Sequence, residues 1–133
     1  MSRNWPASTK LLMVEDDPLS AMLLRTRLEM EGLQVRVARN GMEALEMLKA
    51  DPPDLMTTDL MMPGMDGFRL VKEIRSLPPP LGRVPVLFIS ANKNDHDMAR
   101  CLAAGGDDFM TKPYSVDVLV ERLWRLHERA GGR

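Results

Sequence analysis

Four ionisable residues in this chain each stand just after a short apolar run. Glu15 and Asp16 follow Leu11-Leu12-Met13-Val14, Asp59 follows Asp54-Leu55-Met56-Thr57-Thr58, and Lys112 lies just beyond Phe109-Met110. Runs of this length read as buried strands, and open α/β sheets gather their chemistry beyond the carboxyl ends of parallel strands. Glu15, Asp16, Asp59, Ser90 and Lys112 are therefore expected on one edge of a sheet. Three carboxylates crowded there repel, and each resists ionising once removed from water. A divalent cation resolves that conflict, and an all-oxygen donor set with no nearby His or Cys suits Mg²⁺ or Mn²⁺. Lys112 adds a compact positive charge, Ser90 a hydroxyl and the loops their N–H groups. Such equipment can hold a phosphoryl group under attack, and a carboxylate is an accepted nucleophile for that attack. Asp59 is the candidate, because it ends the central strand between the other acids and the lysine.

The elements that must position these groups alternate between strand and helix. Lys10–Val14 reads as a strand, and Asp17 then caps a helix with Pro18 at its first position. Ala21, Leu24 and Leu28 form that helix's inward face, and Gly32 stops it. Leu33, Val35 and Val37 alternate with polar residues as on a half-buried edge strand. Asn40 with Glu43 resembles a capping box opening a second helix, with Met42, Ala44, Leu45 and Leu48 on its apolar side. Pro52-Pro53 ends that helix before the strand leading to Asp59. Asp66-Gly67 starts a third helix with Leu70, Val71, Ile74 and Leu77 inward, and Pro78-Pro79-Pro80 forbids its continuation. Val84–Ile89 is a buried strand despite Pro85. Met98, Cys101 and Leu102 mark a fourth helix ending at Gly105-Gly106, Asp107–Met110 a short strand, and 116–128 a final helix with Val116, Leu119, Leu123 and Leu126 on one side. Alternation of this kind predicts an α/β fold with a doubly wound, five-stranded parallel sheet and five helices.

Composition bounds the rest. The chain has 133 residues, enough for one domain with its own core, and a net charge of −1 that gives no strong attraction to nucleic acid or membrane. A single cysteine, Cys101, excludes an internal disulfide and suits a reducing compartment. The first residues carry no apolar signal segment, and no stretch approaches the roughly 18–20 apolar residues of a membrane span. These features predict a cytoplasmic protein: a flexible tail over residues 1–8, one domain over 9–129 and a short tail over 130–133.

Taken singly, the motifs have ordinary explanations. Asp16-Asp17 is a common helix cap, while Lys112-Pro113 and Asp66-Gly67 are common turns. Their joint occurrence, each after its own strand and in order, argues against coincidence. His96 and His127 are expected on solvated helix exteriors and Cys101 in the core. The 12 methionines, dispersed through the chain, read as core filling.

Taken together, Val14-Glu15-Asp16-Asp17, Asp59-Leu60-Met61-Met62-Pro63-Gly64-Met65-Asp66-Gly67, Ser90-Ala91 and Lys112-Pro113 resemble the receiver domain of bacterial two-component response regulators. The resemblance spans about residues 9–129. It implies a flavodoxin-like sheet of order 2-1-3-4-5, an order the chemotaxis receiver itself exemplifies. It implies that Asp59 accepts a phosphoryl group from a sensor histidine kinase or histidine phosphotransfer protein. Asp16, Asp59 and the Met61 carbonyl would bind Mg²⁺ directly, with Glu15 assisting through water. Lys112 would meet the phosphoryl oxygens, Ser90 would hydrogen-bond to them, and Phe109 would occupy the aromatic switch position.

Departures from the family pattern sharpen these expectations. Phe109 has no phenolic hydroxyl, so switching there would be steric. Thr57-Thr58 is polar for a central strand, and its hydroxyls need backbone partners or a small residue opposite. Met61 and Asn92 flank the site and would tune phosphoryl lifetime. Arg122 and Asp108 could pair across a partner, although Val118 stands where many DNA-binding relatives carry an acid. The expected state is a monomer or a weak, phosphorylation-dependent homodimer. Its output would be contact with a downstream protein target, without direct nucleic-acid binding or membrane insertion, or relay of the phosphoryl group to a second histidine protein. A hydrolase with an aspartate nucleophile would place a second aspartate at position 61, where Met61 stands, and a nucleotide-binding module would need a glycine-lysine phosphate loop. A degenerate scaffold would lack some of the acidic and lysine residues present here.

Overall fold

A computed structural model describes residues 5–6, 8–91 and 95–131, with only the backbone of Asp95. Five strands alternate with five α-helices: β1 (Lys10–Val14), α1 (Pro18–Met30), β2 (Gln34–Ala38), α2 (Gly41–Ala50), β3 (Leu55–Asp59), α3 (Gly67–Arg75), β4 (Val86–Ser90), α4 (Asp95–Ala103), β5 (Asp108–Thr111) and α5 (Val116–Arg129). All pairings are parallel and the strand order is β2-β1-β3-β4-β5, a flavodoxin-like sheet. A parallel sheet needs helices on both faces, and two apolar clusters supply them. Leu12, Met56 and Phe88 face Leu48, Leu70 and Ile74 on one side. Leu11, Leu55 and Leu87 face Leu28, Leu119 and Leu123 on the other. Each fully buried leucine contributes about 1.5–3 kcal/mol.

Caps set the helix starts as the sequence indicates. The backbone N–H groups of Ser20, Glu43 and Arg69 donate to the side chains of Asp17, Asn40 and Asp66. Glu43 reaches back to the Arg39 N–H at 3.2 Å, one residue before the cap. At the amino end of the sheet, Arg75 closes α3 by donating to the carbonyls of Gly105, Gly82 and Val84 at 2.8–3.0 Å and to the Asp107 carboxylate at 3.0 Å. Asp107 also accepts the Val86 N–H at 2.8 Å, so one side chain ties together the segments entering β4 and β5.

Several expectations need correction. Trp5, in the segment expected to be a tail, packs on α5. Its ring stacks edge-on against Trp124 of α5 at 4.9 Å and lies 5.4 Å from His127, because an indole there covers an apolar strip of α5. Residues 1–4 lie outside the described residues. His127 is buried at 2% exposure beneath that cover, whereas His96 is exposed as expected. Met42, Met98 and Leu102 point outward, while Ala44 and Cys101 are buried as expected and Gly41 takes a further inward position in α2. The methionines divide: Met13, Met56, Met62, Met65 and Met110 fill the core, while Met22, Met30, Met42, Met61 and Met98 are exposed. Arg122 pairs with Asp108 of its own chain at 3.1 Å and also donates to the Phe109 carbonyl, since α5 lies against β5.

Candidate functional site

Parallel strands deliver the expected residues to one edge. Asp59 ends β3, while Glu15 and Asp16 lie just past β1, and oxygen atoms of all three lie within 4.8 Å of one another. Ser90 ends β4, and Lys112 follows β5, its N–H donating to the Ser90 carbonyl at 2.7 Å. The Lys112 ammonium reaches Asp59 at 3.1 Å and Glu15 at 3.6 Å. Glu15 and Asp59 are each 9% exposed and Ser90 3%, whereas Asp16 stands at the open rim. Phe109 is half-buried against the cluster that holds Phe88. Asn92 lies outside the described residues.

The loop after Asp59 is held closely. Leu60 N–H donates to the Ile89 carbonyl at 3.3 Å and Gly67 N–H to the Leu60 carbonyl at 2.9 Å. A side chain at position 67 would put its Cβ 2.5 Å from the Asp59 carbonyl, so only glycine lets α3 begin there. Met62 and Met65 anchor the loop in the core, while Met61, just before them, is 72% exposed. The two threonines before Asp59 differ. Thr58 donates to the Asp59 carbonyl at 3.0 Å, while the Thr57 hydroxyl is buried without a hydrogen-bond partner.

Electrostatics follow from this packing. Burial, then the Glu15 hydrogen bond and charge, push the Asp59 carboxyl up to about 7 against the pull of Lys112. Burial opposes ionisation of Glu15 as well. Its contacts with Asp59, the Asp17 N–H and Lys112 outweigh burial and hold it below the usual range. Burial would lower Lys112, but Asp59 and Glu15 keep its ammonium above its ordinary value. The chemistry of the donor set fits a hard divalent cation: three carboxylates, no His or Cys in the cluster, and one acid forced towards its neutral form by its neighbours.

A response regulator receiver domain model matches residues 11–124. The chain therefore belongs to the receiver family of two-component signalling systems. It is 37% identical to the transcriptional regulatory protein CseB of Streptomyces coelicolor over 123 residues, 92% of this chain and 51% of that protein. It is 35% identical to the response regulator MprA of Mycobacterium ulcerans, again over 92% of this chain and 51% of that protein. The chain thus spans about half the length of the curated relatives it matches. Among solved structures, the receiver domain of a Francisella response regulator superposes with a TM-score of 0.85 at 33% identity, covering 92% of this chain and 99% of that one. The receiver domain of a sensor histidine kinase from Pseudomonas aeruginosa, with magnesium in its active-site cleft, gives 0.81 at 30% identity, covering 90% and 98%.

The strand-end residues were legible because each follows its own apolar run. The unpaired Thr57 hydroxyl and the burial of His127 were not, since both depend on what packs opposite. Among the described residues, no helix is long and apolar enough to cross a membrane.

Proposed function

We propose that Asp59 is the phosphoryl acceptor of this receiver, and that its modification switches contacts with a protein target. The observation that carries this reading is the juxtaposition of the Lys112 ammonium, 3.1 Å from Asp59, with a three-carboxylate cluster. Asp16, Asp59 and the Met61 carbonyl would hold Mg²⁺, with Glu15 supporting, and Mn²⁺ suits the same donors. When bound, the cation neutralises the acids and the incoming phosphoryl oxygens.

The chain's residues divide the remaining work. An Asp59 oxygen forms the new bond to phosphorus as the bond to the donor's histidine nitrogen breaks, and the released imidazole takes up a proton. Lys112, already beside Asp59, exchanges a carboxylate partner for the phosphoryl oxygens. The Ser90 hydroxyl, at the end of the neighbouring strand, would donate to them. Phe109 responds by packing alone. The magnesium in the Pseudomonas receiver, and that chain's place in a sensor kinase, support a cation and a histidine-protein donor here. A histidine kinase or histidine phosphotransfer protein is the expected donor.

Intact-mass measurement after incubation with Mg²⁺ and acetyl phosphate tests the reading. A single phosphoryl adduct, absent in Asp59→Asn and without Mg²⁺, is expected. No adduct, with no beryllofluoride binding, would reduce the domain to a scaffold. Rapid multiple turnover of unrelated phosphoesters would make it a hydrolase.

A further inference from the structure

A second cleft, of about 820 Å³, opens at the opposite end of the sheet from Asp59, between the segments entering β3 and β4 and the end of α5. Five of its lining residues are prolines, Pro52-Pro53, Pro79-Pro80 and Pro85, so much of its wall is apolar ring with no N–H to offer. The polar groups are unbalanced. Arg83 and Arg129 line the cleft, both are exposed, and neither guanidinium has an ion-pair or hydrogen-bond partner among the described residues. The acid there, Asp54, is already engaged by the Lys10 N–H at 2.8 Å. His127 also lines the cleft, and its Nε2 is buried without a partner. Two guanidinium groups without protein partners on the wall of one cleft mark a place where an anion would complete the set.

We infer that this cleft binds a small organic carboxylate whose apolar body rests on the proline rings and whose charge meets Arg83 and Arg129. The volume lies within the range of small-molecule sites. An anion is selected because the charged groups left without protein partners are both cationic. An apolar body is selected because proline rings cannot compete with water for a fully polar ligand.

The probe is 4-phenylbutyrate, titrated into the full chain, with 4-phenylbutanol and acetate as controls. Both tryptophans of the chain, Trp5 and Trp124, pack beside His127, so intrinsic fluorescence reads this end of the molecule. Saturable binding of phenylbutyrate is expected, at least about fivefold tighter than the alcohol or acetate, the upper range of one exposed ion pair. Arg83→Gln and Arg129→Gln should each weaken it about threefold, leave the melting temperature unchanged, and leave acetyl-phosphate labelling at Asp59 intact. The His127 imidazole resonances should shift on binding. Equal binding of the alcohol, or affinity indifferent to both arginines, would overturn the inference. So would binding of a glutamate-rich peptide with no binding of phenylbutyrate, which would assign the cleft to a protein partner.

Discussion

The two ends of the sheet solve opposite problems. At the amino end, one guanidinium satisfies four acceptors, and Asp107 and Asp54 accept the N–H groups of Val86 and Lys10. At the carboxyl end, Glu15, Asp16 and Asp59 are pressed together, and one lysine serves two of them. Arg75, Asp107 and Asp54 use their polar groups to hold segments in place. The carboxyl end leaves charge uncompensated where a cation and a phosphoryl group would complete it. Stability and reactivity thus occupy opposite ends of the same strands.

Arg75→Met should give the largest effect. It strands three carbonyls and a carboxylate, and chemical denaturation should show a loss of about 2–4 kcal/mol. A loss no larger than that of an ordinary surface arginine would remove the contrast. Asp59→Ala should act in the other direction. Without Mg²⁺ at pH 8 it should raise stability by about 1–3 kcal/mol, allowing for the solvent that reaches the site. An unchanged or lower melting temperature would contradict this.

The same carboxyl sets a pH dependence. Its folded pKa, about 7, lies above its ordinary value of 3.8, so between these limits the folded chain binds more protons than the unfolded one. Its contribution therefore falls as pH rises from about 4 to 7 and is flat beyond. The stability gap between Asp59→Asn and the parent should open across that window without Mg²⁺, and Mg²⁺ should narrow it. A gap constant with pH would break the assignment.

Smaller effects refine the comparison. Thr57→Val removes a buried, unpartnered hydroxyl at nearly constant shape and should add about 0.5–1.5 kcal/mol. A lower melting temperature would mean that the hydroxyl is satisfied in solution. Met61→Asn replaces the exposed side chain beside the proposed acceptor with one that can orient water. It should shorten the lifetime of the phosphorylated form about threefold, under 1 kcal/mol in barrier. Decay no faster than the parent's would show that Met61 does not crowd the attacking water.

Much of the site was legible because parallel topology converts sequence position into spatial position. Once Glu15, Asp59, Ser90 and Lys112 were each placed after a strand, the sheet could bring them only to one edge. Helix starts were equally legible at Asp17, Asn40 and Asp66, where a side chain bonds the backbone three residues on. Less legible were positions decided by what lies opposite. Met42 and Met98 are apolar and fit a helical period, yet they point outward because glycine, alanine and cysteine make the closer approach to the sheet. Trp5 carried no periodic signal, and His127 looked solvated until that indole was placed over it. Arg122 and Asp108 are 14 residues apart in sequence, and only the packing of α5 on β5 makes them partners within one chain.

The Arg75 tie also governs which length changes the chain can tolerate. Its acceptors lie in two separate connections, Gly82 and Val84 before β4, and Gly105 and Asp107 before β5. An inserted residue in either connection would carry carbonyls away from a guanidinium whose reach is fixed. An insertion in either entry loop should therefore cost stability by breaking part of this tie.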